Sequence, residues 1–230
     1  MKQLNQIRNL SIEQQKLLDQ HLELVISINK TTNLTRITSW EKGQVLHIED
    51  SLLGLEVINN APEGRYVDLG TGGGFPGIPL AITTGRETLL VDSVGKKTKA
   101  LDHIISELGL SDTVSTFNGR AEDLALQQPD AFTVVTARAL SSLPSLLELS
   151  APLLCIGGQL ICYKAQPEED EIQQASLLEK KLGLRLIETY EGCLSDNVSH
   201  RVIFVFEKFE EPEVSLPRRP GMAQKRPYKK

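Results

Sequence analysis

The chain has 230 residues, 40% hydrophobic and 24% charged, which suits one soluble domain with an extension and a sizeable core. No apolar signal-peptide core opens the chain, and the most apolar region, residues 140–163, is interrupted by Pro144, Glu148, Pro152 and two glycines. Export and a membrane span are therefore not expected, and Cys155, Cys162 and Cys193, with no CxxC pair, suit reduced thiols in the cytoplasm.

The net charge of −5 is unevenly spread. Residues 216–230 carry Arg218, Arg219, Lys225, Arg226, Lys229 and Lys230 and no acid, so the first 215 residues carry −11. Such asymmetry points to a tail that meets a polyanion, against the plain alternative of a solubilising end. No cluster has metal-ligand spacing, and no metal is expected.

In chain order, Ser11 with Gln14 predicts a capping box, and Leu18, Leu22, Val25 and Ile26 follow as a helical stripe. Residues 29–35, NKTTNLT, read as a polar loop. A second helix is expected to start near Ser39, run through His47-Ile48-Glu49-Asp50-Ser51 and fade by Asn59. Residues 1–62 are thus read as an N-terminal helical extension, 63–210 as the cofactor-binding domain and 211–230 as a basic, flexible tail.

Residues 65–81, RYVDLGTGGGFPGIPLA, organise the domain. A short buried strand runs into a turn with five glycines in eight positions, then into a helix with Pro76 in its first turn. A strand, a glycine turn and a helix N-terminus make a cradle for a nucleotide-like ligand. Two cofactors fit. Gly72-x-Gly74-x-x-Gly77 matches the dinucleotide fingerprint, while Asp68-x-Gly70-x-Gly72-x-Gly74 is the pattern of class I S-adenosyl-L-methionine (AdoMet) methyltransferases. An acid beneath the loop repels a pyrophosphate and suits the positive charges of AdoMet, which favours the second reading.

Further along, a strand over residues 88–92 ends in Asp92, about twenty residues past the glycine turn, the spacing of a carboxylate that takes a ribose hydroxyl pair. The same acid could simply cap the next helix, whose first turn carries Lys96, Lys97 and Lys99 against the helix dipole. After a third strand, the loop with Ala121, Glu122 and Asp123 falls where an adenine would sit. A fourth strand, 131–136, delivers Arg138 to the cleft, with a salt bridge to a neighbouring acid as its structural alternative. Two final strands, joined without a helix, predict an antiparallel close to a mostly parallel sheet, a Rossmann-like α/β fold of the AdoMet methyltransferase type and not of the NAD type.

The segments NLTRI, HIEDSL, VDLGTGGGFPGIPLAI, LLVDSVGKKTKAL, NGRAEDL, VTARAL and LPRRPG, in this order from Asn33 to Gly221, resemble the RsmG (GidB) family of bacterial ribosomal RNA small-subunit methyltransferases. The resemblance implies methyl transfer from AdoMet to N7 of one guanine in 16S rRNA. By position it implies cofactor contacts at Gly70, Phe75, Ala121, Glu122 and Arg138, beside Asp68, Gly72 and Asp92 from the fold. Asn33 and His47 fall in family blocks near the mouth of the cleft and, with Arg218 and Arg219 of the tail, are the candidate contacts to the RNA of the small ribosomal subunit. A cytoplasmic monomer is expected.

The residues agree with that chemistry. N7 of guanine has an in-plane lone pair and no proton, so its methylation needs no general base, only alignment with the sulfonium methyl. No cysteine nucleophile lies in a cleft loop, and the Asn/Asp-Pro-Pro-aromatic motif of amine methylases is missing after strand four. An NAD-dependent oxidoreductase and an inactive RNA-binding module on the same fold are the rival readings.

Overall fold

The computed structural model describes residues 2–3 and 10–229. The readings that fall on Met1, on residues 4–9 and on Lys230 lie outside the described residues. In chain order the elements are β1 (Lys2–Gln3), α1 (Ile12–Asn29), α2 (Trp40–Gly43), a π-helical turn (Gln44–Glu49), α3 (Asp50–Leu52), α4 (Leu55–Asn60), β2 (Tyr66–Leu69), α5 (Gly77–Thr84), β3 (Thr88–Asp92), α6 (Gly95–Glu107), β4 (Val114–Asn118), α7 (Ala121–Gln127), β5 (Phe132–Arg138), α8 (Leu143–Ser150), β6 (Leu154–Lys164), α9 (Glu169–Leu178), β7 (Leu184–Cys193), β8 (His200–Lys208) and α10 (Met222–Lys225).

The sheet order is β1-β7-β8-β6-β5-β2-β3-β4, and only β8 runs antiparallel to its neighbours. The chain moves from β2 outward to β3 and β4, then returns to lay β5 on the other side of β2. A ligand crevice opens at such a reversal, outside the carboxyl ends of the strands. Every residue of β2 and β3 is buried, as expected of parallel strands covered on both faces. One face packs on α7, α8 and α9; the other packs on α1, α5 and α6.

The predicted capping box starts α1: Gln14 N–H donates to Ser11 Oγ, and Ser11 N–H to the Gln14 side chain. Leu18, Leu22 and Val25 are fully buried in one cluster with Ile78, Leu90 and Leu101, so the N-terminal section shares the core of the α/β domain. Each such side chain contributes about 1.5–3 kcal/mol. Among the described residues no helix is long and apolar enough to cross a membrane.

Two expectations differ from the structure. The second helix is not regular. At Gln44–Glu49 it widens to a π turn, in which Asp50 N–H reaches back five residues to the Val45 carbonyl. The basic tail is not loose either. Arg218 makes two hydrogen bonds of 2.6 Å to the carboxylate of Glu148, Ser145 Oγ donates to the Ala223 carbonyl at 2.8 Å, and Arg218 lies over the Tyr228 ring. The reason is α8, buried on all sides, whose Glu148 has no solvent and needs a cation. Only the short helix α10 forms in this segment, and irregular backbone packs well where its polar groups find partners.

Candidate active site

Two cavities open at the carboxyl ends of the central strands. The first, of about 330 Å³, lies over β2, β3 and β4 and is lined by Gly70, Asp92, Lys97, Ala121, Glu122 and Gln224, among others. Its size is within the range of small-molecule sites, about 300–1,000 Å³. Gly70 turns at φ +69°, and a Cβ there would stand 2.6 Å from Leu140. The N-cap of α6 is Val94 and not Asp92, which lines the cavity. One oxygen accepts from Val94 N–H at 2.9 Å, ahead of α6, while the other accepts from Gly72 N–H at 3.1 Å. Lys97 stands 3.8 Å from that second oxygen, so part of the unfavourable lysine cluster on α6 has its counter-ion. Glu122 is buried, and its Oε1 accepts from Gly221 N–H at 2.6 Å.

Asp68, Gly72 and Phe75 do not line this cavity. Asp68 is fully buried below the turn and accepts from Gly77 N–H at 3.0 Å and from Thr136 Oγ1 at 2.7 Å. Burial pushes its carboxyl up to about 6, against the opposing pull of the Thr136 hydroxyl. Asp68 is thus set apart from the cavity, unlike the acid expected to face the positive charges of a cofactor. Its carboxylate fills the N-terminus of α5, the place where a dinucleotide fold presents N–H groups to pyrophosphate. Helix α5 begins at Gly77, so Pro76 is its N-cap and lies just before the first turn where it was expected.

The second cavity, of about 460 Å³, adjoins the first. Leu46, His47, Asp50, Arg138, Tyr163 and Arg201 line it. Ala139, in the left-handed region at φ 55°, borders both cavities, and a non-glycine residue held there marks a backbone constrained by its surroundings. Arg138 thus lines the second cavity and not the first, apart from Gly70, Asp92 and Glu122, with its guanidinium over the Phe75 ring at 5.7 Å. It also forms the ion pair that was its alternative reading: it donates to Asp50 at 2.9 Å and to the Leu46 carbonyl at 3.1 Å. Arg201 grips the same carboxylate at 2.8 and 3.2 Å.

His47 joins this group. A guanidinium only donates, so His47 Nδ1 accepts from Arg138 at 3.3 Å, and its Nε2–H donates to Thr35 Oγ1 at 2.8 Å. Burial, then the Arg138 charge, lowers its pKa to about 3, so the ring is neutral. Phe75 stacks on His47 at 4.3 Å and packs at a tilt against His21 at 4.5 Å, and His21 Nε2–H donates to the Gly73 carbonyl at 2.9 Å. An aromatic stack thereby ties the glycine turn to the second cavity.

Of the candidate RNA contacts, Asn33 and Arg219 are exposed and join neither cavity's lining, while Arg218 is engaged by Glu148. Sequence reasoning missed Tyr163, Arg201, Gly221 and Gln224. Tyr163 carried a signal, an aromatic at the carboxyl end of a central strand; for Arg201 and the tail residues no local pattern exists.

A parallel α/β sheet closed by one reversed strand, with Gly70 of the glycine turn, Asp92 at the end of β3 and Glu122 in the first turn of α7 around one cavity, defines a class I AdoMet-dependent methyltransferase. Solved structures share the fold. An O-methyltransferase from Bacillus cereus in complex with SAH superposes with a TM-score of 0.56 at 20% identity, covering 82% of this chain and 90% of that one. A geranyl diphosphate methyltransferase in complex with SAM gives 0.56 at 12% identity, covering 70% and 85%. Within that class, residues 14–193 match the family model described as rRNA small subunit methyltransferase G. The chain is 38% identical to the ribosomal RNA small subunit methyltransferase G of Carboxydothermus hydrogenoformans, covering 95% of this chain and 94% of the relative, and 35% identical to that of Alkaliphilus metalliredigens, covering 90% and 87%. The chain belongs to the rRNA small subunit methyltransferase G (GidB) family.

Proposed function

We propose that this chain transfers the methyl group of AdoMet to N7 of one guanine in the 16S rRNA of the small ribosomal subunit, working in the cytoplasm as a monomer. The observation that carries the reading is the pair of cavities meeting at Ala139. The first offers Asp92 and Glu122, acceptors that suit the hydroxyls and amine of an adenosyl group, and Gly70 leaves backbone room beside them. The second offers cations and an aromatic wall, which suit a nucleotide. AdoMet, when bound, supplies an electrophilic methyl; binding, orientation and exclusion of water fall to the chain.

No group in the second cavity stands ready as a base. His47 is neutral but has both ring nitrogens committed, and Asp50 is held between two guanidinium groups. That arrangement fits an acceptor with a lone pair and no proton to lose, where alignment is the main requirement. Arg138 and Arg201 then act as positioning cations. The oxidoreductase reading is disfavoured because Asp68 already occupies the helix N-terminus that would hold a pyrophosphate.

The test is incorporation of label from tritiated AdoMet into small subunits that lack the modification, followed by mapping of the labelled nucleotide. Label on N7 of a single guanine is expected. Binding of AdoMet without any transfer would support the inactive-module reading instead.

A further inference from the structure

We propose that residues 218–226 form part of the cofactor site: Gln224 closes the wall of the first cavity, and Gly221 sets the carboxylate of Glu122 that the cofactor's adenosyl half meets. This inference rests on the methyltransferase reading and extends it to a segment that sequence alone casts as an RNA-binding tail.

Three observations converge. Gln224 lines the cavity directly, beside Glu122 and Arg120, and Arg120 Nη1 donates to its Oε1 at 3.4 Å. A primary amide at that wall both donates and accepts, as the polar edge of an adenosyl group requires. Next, Gly221 N–H gives Glu122 Oε1 a 2.6 Å hydrogen bond inside the protein. With one oxygen committed to the chain, the rotamer of Glu122 is fixed and its second oxygen is left for a ligand. Gly221 is buried at φ +80°, a conformation that glycine adopts without strain and other residues rarely do.

The segment is also anchored independently of any ligand. Arg218 spans the buried Glu148 carboxylate and the Arg226 carbonyl, at 2.8 Å from the latter, so both ends of the strap meet at one side chain. Ala223 is buried, and its carbonyl accepts from Ser145. A wall held this way is preorganised, and preorganisation reduces the ordering cost of binding. Linkage then runs in both directions: a docked strap tightens the cofactor, and bound cofactor holds the strap down.

The test uses S-adenosylhomocysteine as the probe, titrated calorimetrically into the full chain and two variants, with thermal melts as the check on folding. Gly221→Pro removes the N–H donor and cannot adopt φ +80°; Gln224→Ala removes the wall amide from an exposed position. A loss of affinity of at least tenfold is expected for the first and at least threefold for the second. In the unmodified chain, saturating S-adenosylhomocysteine should slow tryptic cleavage after Lys225 several-fold, since that cut requires local opening of the strap. This measurement and Gln224→Ala carry the test if Gly221→Pro does not fold. Unchanged affinity in the folded variants, or cleavage indifferent to the probe, overturns the proposal. A wild-type chain that fails to bind the probe overturns the methyltransferase reading itself, which keeps the two failures apart.

Discussion

Arg138 shows how much one side chain holds in this molecule. It joins the ends of β5 and the π turn through Asp50, the Leu46 carbonyl and His47. Arg138→Ala is expected to reduce methyl transfer by more than tenfold, about 1.4 kcal/mol or more of transition-state stabilisation, measured as single-turnover rate with saturating small subunits. Wild-type turnover would reduce Arg138 to a structural ion pair. His21 gives a second residue-scale prediction. Burial lowers its folded pKa from 6.5 to about 4, so the unfolded chain takes up the proton first, and stability falls as pH drops from about 6.5 towards 4. Asp68 acts in the opposite sense. Its raised folded pKa gives stability that is present at low pH and is lost as pH rises through about 6. The clean measurement is therefore a difference. Between pH 7 and pH 5, His21→Gln should lose about 2 kcal/mol less unfolding free energy than wild type, read by urea denaturation. At this scale, the place of Gly70, Ala121 and Glu122 at the first cavity was legible because ligand crevices open at strand ends in such sheets. The partners of Arg138 and Arg218 were not, since Asp50 and Glu148 lie 88 and 70 positions away and nothing local encodes such pairings.

Among the elements, the glycine turn separates packing from ligand binding. Gly77 faces Leu90, and a Cβ on it would stand 2.3 Å from Cδ2 of that leucine and 2.9 Å from Asp68 Oδ2. Gly77→Ala is expected to destabilise the fold by about 1–3 kcal/mol, the usual cost of overpacking, seen in chemical denaturation. Gly72 has open space before it, with the Leu34 carbonyl 3.7 Å from a built Cβ, but it turns at φ +59° and holds Asp92 through its N–H. Gly72→Val should thus lower AdoMet affinity through a displaced Asp92 while circular dichroism stays native. Unchanged affinity would detach the turn from the site. Strands β2 to β8, the antiparallel close and the capped α1 were readable from periodicity and cap chemistry, whereas the order of the strands around β2 was not predicted. The π turn was not, because one extra residue in a wide turn leaves the apolar spacing almost unchanged.

For the whole molecule, charge remains the organising property, redistributed from the simple body-and-tail division. The segment after β8 is docked, yet Arg219, Lys225 and Arg226 stay exposed on its outer face. Replacing these three by Gln should reduce the salt dependence of binding to small subunits, by roughly two to three units of slope in log K against log salt. Parallel slopes for the variant and wild type would show that this face does not touch phosphate. The sequence exposed the excess charge but not its placement, because the anchor of the segment is a single buried acid within an otherwise apolar helix.

The π turn also changes what kind of mutation the second cavity is vulnerable to. A π turn closes over one residue more than an α turn, so losing one position between Gln44 and Glu49 would let the segment close as an ordinary α-helix with the faces on either side still in register. A position lost from the helix outside that turn would instead rotate Asp50 and Ser51 by about 100° away from the inward face, though every side chain that contacts Arg138 or Arg201 could still be present in the gene. For this site the number of residues in the helix is a heritable trait in its own right, and a single deletion within the π turn that spares Leu46 and His47 should be less damaging than one in the flanking turns.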